Sequence, residues 1–364
     1  MNFTEQELFF ELCKFKKSNP EKIRTLIKEN ATPSVLGELF FNRMQGVAYG
    51  VLRKNNLLGE TNREFRNSLK SAYLYNVMLN NDYRHCVALL SDVLSKQRGK
   101  YAMLKGALLC NLYPAGYRTS NDIDLLVRPQ DVTSIGNALS DAGFKQGNVR
   151  NGVFVPATRR EIVESKMTRG ETVPYILEVD LPIMKYLEVD INFSLDYKNS
   201  DTSVLESMLD NAVGRSVGDT EIITLNDCDF FIHLCCHLYK EATTLPWVVM
   251  KRDMTLYKFL DIYLLLDDFM YCRRDALLRR ASDFNMIDIC CCVVQWTGEL
   301  FDLGGSQLQE LADIRFEHND SILHKVISPS NDKVYNYKEK SIKERFFAEN
   351  RETLLEEVLN NATT

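Results

Sequence analysis

The chain contains Lys105-Gly106-Ala107 and, after a short gap, Asn121-Asp122-Ile123-Asp124-Leu125-Leu126-Val127. The second segment is an apolar run with two acids in it, and it predicts a strand whose alternate residues point to the same face. Asp122 and Asp124 are two residues apart, so their carboxylates lie side by side and repel each other unless a positive charge sits between them. Hard oxygen donors of this kind favour Mg²⁺ or Mn²⁺. The paired acids therefore predict a divalent metal site.

A glycine-containing turn lies just upstream of the paired acids. Residues 101–104 form a short apolar run that predicts a strand, and Lys105-Gly106 follows it at the start of a predicted helix. Backbone N–H groups in such a turn can be approached by a phosphate group. A metal site beside a phosphate-binding turn predicts metal-assisted nucleotidyl transfer, in which an acceptor attacks the α-phosphate of a nucleoside triphosphate.

This chemistry requires a third carboxylate from a neighbouring strand. Asp190, within the apolar residues 187–193, is the first choice, and as a base it would take the proton of the acceptor. Glu188 shares its face and is the alternative. Asp180 stays open as a further alternative, because Leu177-Glu178-Val179-Asp180 is a near-copy of Leu187-Glu188-Val189-Asp190. The two near-copies predict neighbouring strands or one long ribbon.

Size, charge and cysteine content restrict the class of protein. The chain has 364 residues, 45% hydrophobic and 26% charged, which is typical of a soluble globular protein with two or three domains. Its net charge of −6 argues against a broad nucleic-acid-binding surface, so a small molecule, peptide or protein is the favoured acceptor. No signal peptide and no run of ~20 apolar residues is evident, so we expect no membrane partner. The ten cysteines lack zinc-type spacing and predict buried free thiols in the cytoplasm.

Hydrophobic periodicity divides the chain into three regions. Residues 1–99 predict a helical N-terminal region with a capping box at Thr4 and Glu7, and with either one long helix or two separated near Asn80. Residues 100–198 predict the core, with a helix that ends near Gly143 and a β-rich stretch over 152–195. Residues 199–364 predict a helical C-terminal region.

The central motif resembles a known family. Lys105-Gly106, Tyr113-Pro114 and Arg118-Thr119-Ser120-Asn121-Asp122-Ile123-Asp124-Leu125-Leu126-Val127 are similar to the uncharacterised bacterial nucleotidyltransferase family of the DNA polymerase β-like superfamily. The resemblance extends to Val189-Asp190-Ile191 and covers roughly residues 60 to 290. It implies an α+β fold, in which a small mixed sheet with helices forms a polymerase β-like nucleotidyltransferase core, flanked by helical N- and C-terminal regions.

The resemblance also implies cofactor and site residues. It implies Mg²⁺ and a nucleoside triphosphate such as ATP, with Asp122, Asp124 and Asp190 as the catalytic metal ligands. Gly106 lies at the triphosphate turn, and Lys105, Arg118 and Ser120 complete the expected nucleotide site. Gly106-Ala107 departs from the usual Gly-Ser or Gly-Gly, so a hydroxyl contact to phosphate is absent and Lys105 or Ser120 would replace it. Asn192-Phe193 stands where the family often has His-Trp.

Three residues of the C-terminal region are candidates for the acceptor site. His237 lies four residues after His233 on one helix face, Lys240 follows on the same helix, and Asp261 interrupts an otherwise apolar helix. A buried acid such as Asp261 needs a partner. Satisfied imidazoles, a solvated lysine and a structural salt bridge are the competing interpretations.

The predicted reaction moves a nucleoside monophosphate from a nucleoside triphosphate to an acceptor and releases pyrophosphate. The acceptor is a small metabolite, a natural-product intermediate, a peptide or a protein. One alternative is a toxin that directs the same chemistry at tRNA or protein. Another is a catalytically weakened nucleotide-binding or scaffold protein, which Ala107 and Asn192 favour.

Overall fold

The computed structural model describes residues 1–168, 170–195, 202–270, 273–303 and 320–358. Contacts group the chain into two units, of which unit 1 comprises Met1–Asn67 with Phe231–Thr364, and unit 2 comprises Ser68–Phe230. The predicted division at residues 99 and 198 follows secondary structure and stays a prediction. No helix in the described ranges is long and apolar enough to cross a membrane.

Helices account for most of the described chain. In order they are α1 (Phe3–Cys13), α2 (Pro20–Asn30), α3 (Pro33–Phe41), α4 (Gln45–Lys54), α5 (Arg63–Ser95), α6 (Gly106–Leu112), α7 (Val132–Asp141), α8 (Arg159–Thr168), α9 (Ser203–Asp210), α10 (Asp227–Ala242), α11 (Leu245–Val249), α12 (Leu256–Met270), α13 (Arg274–Asp283) and α14 (Ile287–Phe301). Two short helices follow, at Ser321–His324 and Ile342–Phe347.

Eight described strands form one mixed sheet in unit 2. They are β1 (Tyr101–Met103), β2 (Asp122–Val127), β3 (Lys145–Arg150), β4 (Val153–Pro156), β5 (Tyr175–Glu178), β6 (Tyr186–Asn192), β7 (Val213–Val217) and β8 (Thr220–Thr224), in the order β4-β3-β5-β6-β2-β1-β8-β7. The pairs β2–β6 and β1–β8 are parallel. In unit 1, β9 (Lys325–Ile327), β10 (Val334–Tyr337) and β11 (Leu355–Glu357) form a small antiparallel sheet. A mixed sheet with helices before and after it confirms the expected α+β fold.

One face of the large sheet is the core of unit 2. Buried apolar residues alternate with partly exposed ones over residues 122–125 of β2 and along the whole of β6, so both strands turn one face to the core. The buried residues of the two strands are Ile123, Leu125, Val127, Leu187, Val189 and Ile191. They belong to one hydrophobic cluster with side chains of α5 and α7, namely Tyr83, Val87, Leu90, Leu94, Ile135 and Leu139. The polar members of the two strands therefore share the opposite face.

The structure corrects the predicted cap of α1 and decides between the two alternatives predicted for α5. Asn2, not Thr4, caps α1, because its side chain accepts a hydrogen bond from the backbone of Glu5 while the Glu5 carboxylate accepts one from the backbone of Asn2. Helix α5 runs unbroken past Asn80, whose side chain bonds to a neighbouring loop instead of interrupting the helix.

The structure also corrects two regional expectations. The β-rich stretch 152–195 contains helix α8. The region after residue 199 is not all helical, since β7 and β8 form a hairpin that joins the large sheet beside β1. The two-residue loop at Gly218 has φ of +59°, and a Gly-Asp pair between β-branched residues is a hairpin signal that the sequence does contain.

The cysteines behave as the sequence predicts. All nine cysteines in the described part of the chain are free, and eight of them are buried. This confirms free thiols for those nine, whereas Cys272 lies outside the described residues.

Candidate functional site

Strand register brings four carboxylates together in unit 2. The parallel pairing of β2 with β6 places Asp122 opposite Glu188, and Asp124 opposite Asp190. Residues that face each other across paired strands project on the same side of the sheet. All four acids are partly exposed, whereas the alternate residues of both strands are buried in the core. The predicted pair of acids is thus half of a group of four.

Two acids of the group, Glu188 and Asp190, have raised pKa values. Burial, and then the neighbouring Asp124 and Glu188, hold the pKa of the Asp190 carboxyl well above its usual range. The pKa of Glu188 is raised as well, by burial first and then by Asp122 and Asp124. Glu171, which bridges to Asn192 beside Asp190, adds to the same effect. Like charges that resist ionisation in this way attract a cation.

Lys105 contacts the group directly. Its Nζ lies 2.9 Å from Asp124 Oδ1, and the two side chains are only 21% and 13% exposed. Asn192 Nδ2 donates to the same oxygen at 3.4 Å. The Lys105 backbone has φ of +41°, which is uncommon for a residue with a side chain. The turn is held at β2 by the Leu104 N–H, which donates to the Asp124 carbonyl at 2.9 Å.

Gly106 packs tightly against Ser120, which precedes β2, and against Tyr83 of α5. A Cβ at this position would lie 2.5 Å from Ser120 Oγ and 2.8 Å from the Tyr83 hydroxyl. Ser120 Oγ donates to Asp122 Oδ1 at 3.1 Å, and the Tyr83 hydroxyl donates to the Asp122 carbonyl at 2.9 Å. Gly106 therefore allows both groups to reach Asp122.

Helix α5 fixes the loop that carries Arg118. Asn80 accepts from the Gly116 N–H at 2.7 Å and donates to the Arg118 carbonyl at 2.8 Å. Asn76 donates to the Gly116 carbonyl at 3.1 Å. The Arg118 guanidinium is buried and donates to the Thr119 carbonyl. The roles of Asn76, Asn80 and Tyr83 are not among the predictions, although polar residues at helical spacing on an apolar face are a signal that the sequence contains.

Carboxylate oxygens are the donors that Mg²⁺ and Mn²⁺ prefer, but the four acids do not form a complete coordination site. Among the residues that the structure describes, no three His, Cys, Asp or Glu side chains are placed to hold one metal ion. Lys105 and Asn192 both contact the Asp124 oxygen. Coordination by Asp122, Asp124 and Asp190 would therefore require side-chain movement, beginning with the Lys105 ammonium. The assignment of these acids as metal ligands stays a prediction.

The other sequence candidates are not members of the group of four acids. Asp180 follows β5 outside the strand, is fully exposed and pairs with Lys185 at 3.2 Å, so the structure does not bring it to the acid group. His237 and Lys240 on α10 and the buried Asp261 on α12 belong to unit 1. His237 Nε2 lies 3.4 Å from Glu241 Oε1 on the same helix. A role for these three in acceptor binding stays a prediction.

Comparison with known proteins gives a family match. A family model described as an uncharacterised nucleotidyltransferase matches residues 34–302. Among solved structures, an antigenic nucleotidyltransferase-like protein from Paracoccidioides brasiliensis is 12% identical, with a TM-score of 0.31 over 58% of this chain and 91% of that one. No curated protein shows significant sequence similarity to the chain.

Proposed function

The chain belongs to the uncharacterised nucleotidyltransferase family, and from this premise we propose that it is a Mg²⁺- or Mn²⁺-dependent enzyme of EC 2.7.7 type. It moves a nucleoside monophosphate from a nucleoside triphosphate to an acceptor and releases pyrophosphate. The observation that carries the proposal is the β2–β6 register, which aligns Asp122 and Asp124 with Glu188 and Asp190 on one face.

The four acids have distinct expected roles. Asp122, Asp124 and Asp190 would hold the divalent cation, with Glu188 beside them. When bound, the cation neutralises phosphate charge and makes the acceptor group more acidic. The β2–β6 register sets Asp190 opposite Asp124, so Asp190 would be the residue that accepts the proton of the acceptor hydroxyl or amine.

The turn beside the acids provides the expected nucleotide contacts. Lys105 supplies a positive charge within 2.9 Å of Asp124, where the triphosphate would meet the acids. Ser120 Oγ, held near Asp122, is the hydroxyl that replaces the one missing at Ala107. Gly106 lets Ser120 and the Tyr83 hydroxyl reach Asp122 beside the turn, and Arg118 would complete the cationic surroundings.

The acceptor is expected to be a small molecule, a peptide or a protein rather than nucleic acid. The net charge of −6 favours this choice because phosphate backbones bind to basic surfaces. Action on tRNA or on a protein target, as in a toxin, is the alternative acceptor class. We expect the reaction to take place in the cytoplasm, away from any membrane.

A second candidate, a nucleotide-binding protein without turnover, is favoured by one observation. No three acids among the described residues are placed to share a metal ion. Such a protein would bind a nucleoside triphosphate but would transfer no nucleotide to any acceptor.

The test is transfer of label from each α-³²P nucleoside triphosphate in the presence of Mg²⁺ or Mn²⁺ and host cell extract. A labelled product, with release of pyrophosphate, is expected for the wild type and not for Asp122→Asn/Asp124→Asn. Asp180→Asn is the matched control, because it removes one exposed carboxylate of unit 2 outside the acid group. Absence of labelled product with all four triphosphates would reject the enzyme and favour the binding protein.

A further inference from the structure

Lys105 binds the Asp124 carboxylate oxygen that would otherwise be available to a metal ion. Its ammonium lies 2.9 Å from Asp124 Oδ1 in a mostly buried pair. We propose that Lys105 competes with the divalent cation for Asp124, and that cation binding redirects the ammonium to the triphosphate. This inference rests on the proposed function and adds to it a device that couples metal occupancy to nucleotide binding.

The movement needs only the end of one side chain. The Lys105 carbonyl accepts from the N–H groups of Leu108 at 3.2 Å and Leu109 at 2.9 Å, so its backbone is fixed in the first turn of α6. A lysine carries its charge as a compact ammonium on a flexible four-carbon stem. The head can therefore leave Asp124 while the turn keeps its conformation.

Charge decides where the ammonium goes. Beside Asp124, the ammonium faces a group that also contains Asp122, Glu188 and Asp190, and it lowers their mutual repulsion. If Asp124 held a dication, the Lys105 ammonium would no longer be needed to lower this repulsion and would itself be repelled at short range. The triphosphate is then the next concentrated negative charge beside the turn. Lys105 would thus offer its charge to the nucleotide mainly after the metal has bound.

Competition and phosphate binding predict effects of opposite sign. Replacing Lys105 with a neutral residue removes the competitor, so Mn²⁺ alone should bind roughly tenfold more tightly. The same change removes a phosphate contact, so Mn²⁺–tripolyphosphate should bind about tenfold more weakly. If Lys105 only maintained the fold, its replacement would weaken the binding of Mn²⁺ and of Mn²⁺–tripolyphosphate alike. If Lys105 were remote from both ligands, its replacement would change neither affinity.

In the experiment, the full chain is titrated with Mn²⁺, and electron paramagnetic resonance measures the concentration of the free ion. A second titration adds tripolyphosphate at saturating Mn²⁺. The variants are Lys105→Met, Lys105→Arg and Lys100→Met. Lys105→Arg keeps the charge and should bind Mn²⁺ within about twofold of the wild type. Lys100→Met is the control for lost charge, since Lys100 is exposed and pairs with Asp210 rather than with the acid group. Lys105→Gln repeats the test if Lys105→Met does not fold.

Tighter binding of Mn²⁺ together with weaker binding of tripolyphosphate by the neutral Lys105 variants supports the proposal. Binding of Mn²⁺ by Lys105→Met that is equal to or weaker than wild type overturns it, and if the wild type still transfers label, the proposed function stands. If neither the wild type nor the Lys105 variants bind Mn²⁺, both the inference and the metal-dependent function are rejected.

Discussion

Gly106 is the position at which one added methyl group should do most damage to the candidate site. In the Gly106→Ala variant, the new Cβ would lie 2.5 Å from Ser120 Oγ, 2.6 Å from Ser120 Cβ and 2.8 Å from the Tyr83 hydroxyl. Ordinary van der Waals contact begins at 3.4 Å, so each of these atoms must move. Both residues hold Asp122, and their displacement disturbs the end of β2 that carries the acids.

The expected cost follows from these contacts. Overfilling a packed site costs roughly 1–3 kcal/mol, and loss of the Tyr83 hydrogen bond adds about 1 kcal/mol. The higher helix propensity of alanine relative to glycine stabilises the variant by at most about 1 kcal/mol. We therefore expect the free energy of unfolding to fall by about 1–3 kcal/mol, together with loss of label transfer.

The assay is urea unfolding at 25 °C followed by circular dichroism. Gly37→Ala is the matched control, because Gly37 lies within α3 and a Cβ there meets nothing within 4 Å. That substitution should raise the free energy of unfolding by roughly 0.5–1 kcal/mol. Both tryptophans belong to unit 1, so fluorescence reports on that unit when the two transitions are compared.

A second substitution separates the steric cause from other effects. Ser120→Gly removes two of the three crowding atoms, so in the Gly106→Ala background it should recover part of the lost stability. A double-mutant cycle should give a coupling of about 1 kcal/mol or more between the two sites. An unchanged free energy of unfolding in Gly106→Ala, or zero coupling, would refute the packing argument.

Three further predictions concern hydrogen bonds and pH. Tyr83→Phe removes the donor to the Asp122 carbonyl and should lower the free energy of unfolding by about 1 kcal/mol; a neutral urea-denaturation result would contradict this. Asp82→Ala should cost roughly 2–3 kcal/mol in the same assay, because its carboxylate accepts from two backbone N–H groups before β6, and a loss within 0.5 kcal/mol would argue against that role. His324 accepts at Nδ1 from Arg345, and burial and then this guanidinium lower the pKa of the imidazole from 6.5. Since the native state favours the neutral ring, this contribution to stability is complete above pH 6.5 and is lost as the pH falls through the lowered pKa. Unfolding measured from pH 8 to 5 should show that loss in the wild type and not in His324→Gln.

Local patterns made the strands and most helices predictable. The alternation in β2 and β6 and the 3.6-residue period of α10, α12 and α14 depend only on neighbours in sequence. The capping box begins at Asn2, two residues before the predicted Thr4, although both residue types are capable caps. The Thr4 hydroxyl lies within hydrogen-bond distance of Asn2 and of Asn30, which is 26 residues away. The hairpin β7–β8 was missed although its turn signal is local.

The sequence by itself determined that Asp122 and Asp124 share a face of a strand next to the Lys105-Gly106 turn, because side-chain alternation is a property of one strand. Only the tertiary structure decided that Asp190 and Glu188 stand opposite them, since strand register is set by the packing of entire strands on a shared core. The same holds for the contacts of Lys105 with Asp124 and of Tyr83 with Asp122, which join residues 19 and 39 positions apart. Pairings over such distances depend on the whole buried core, which no short stretch of sequence contains.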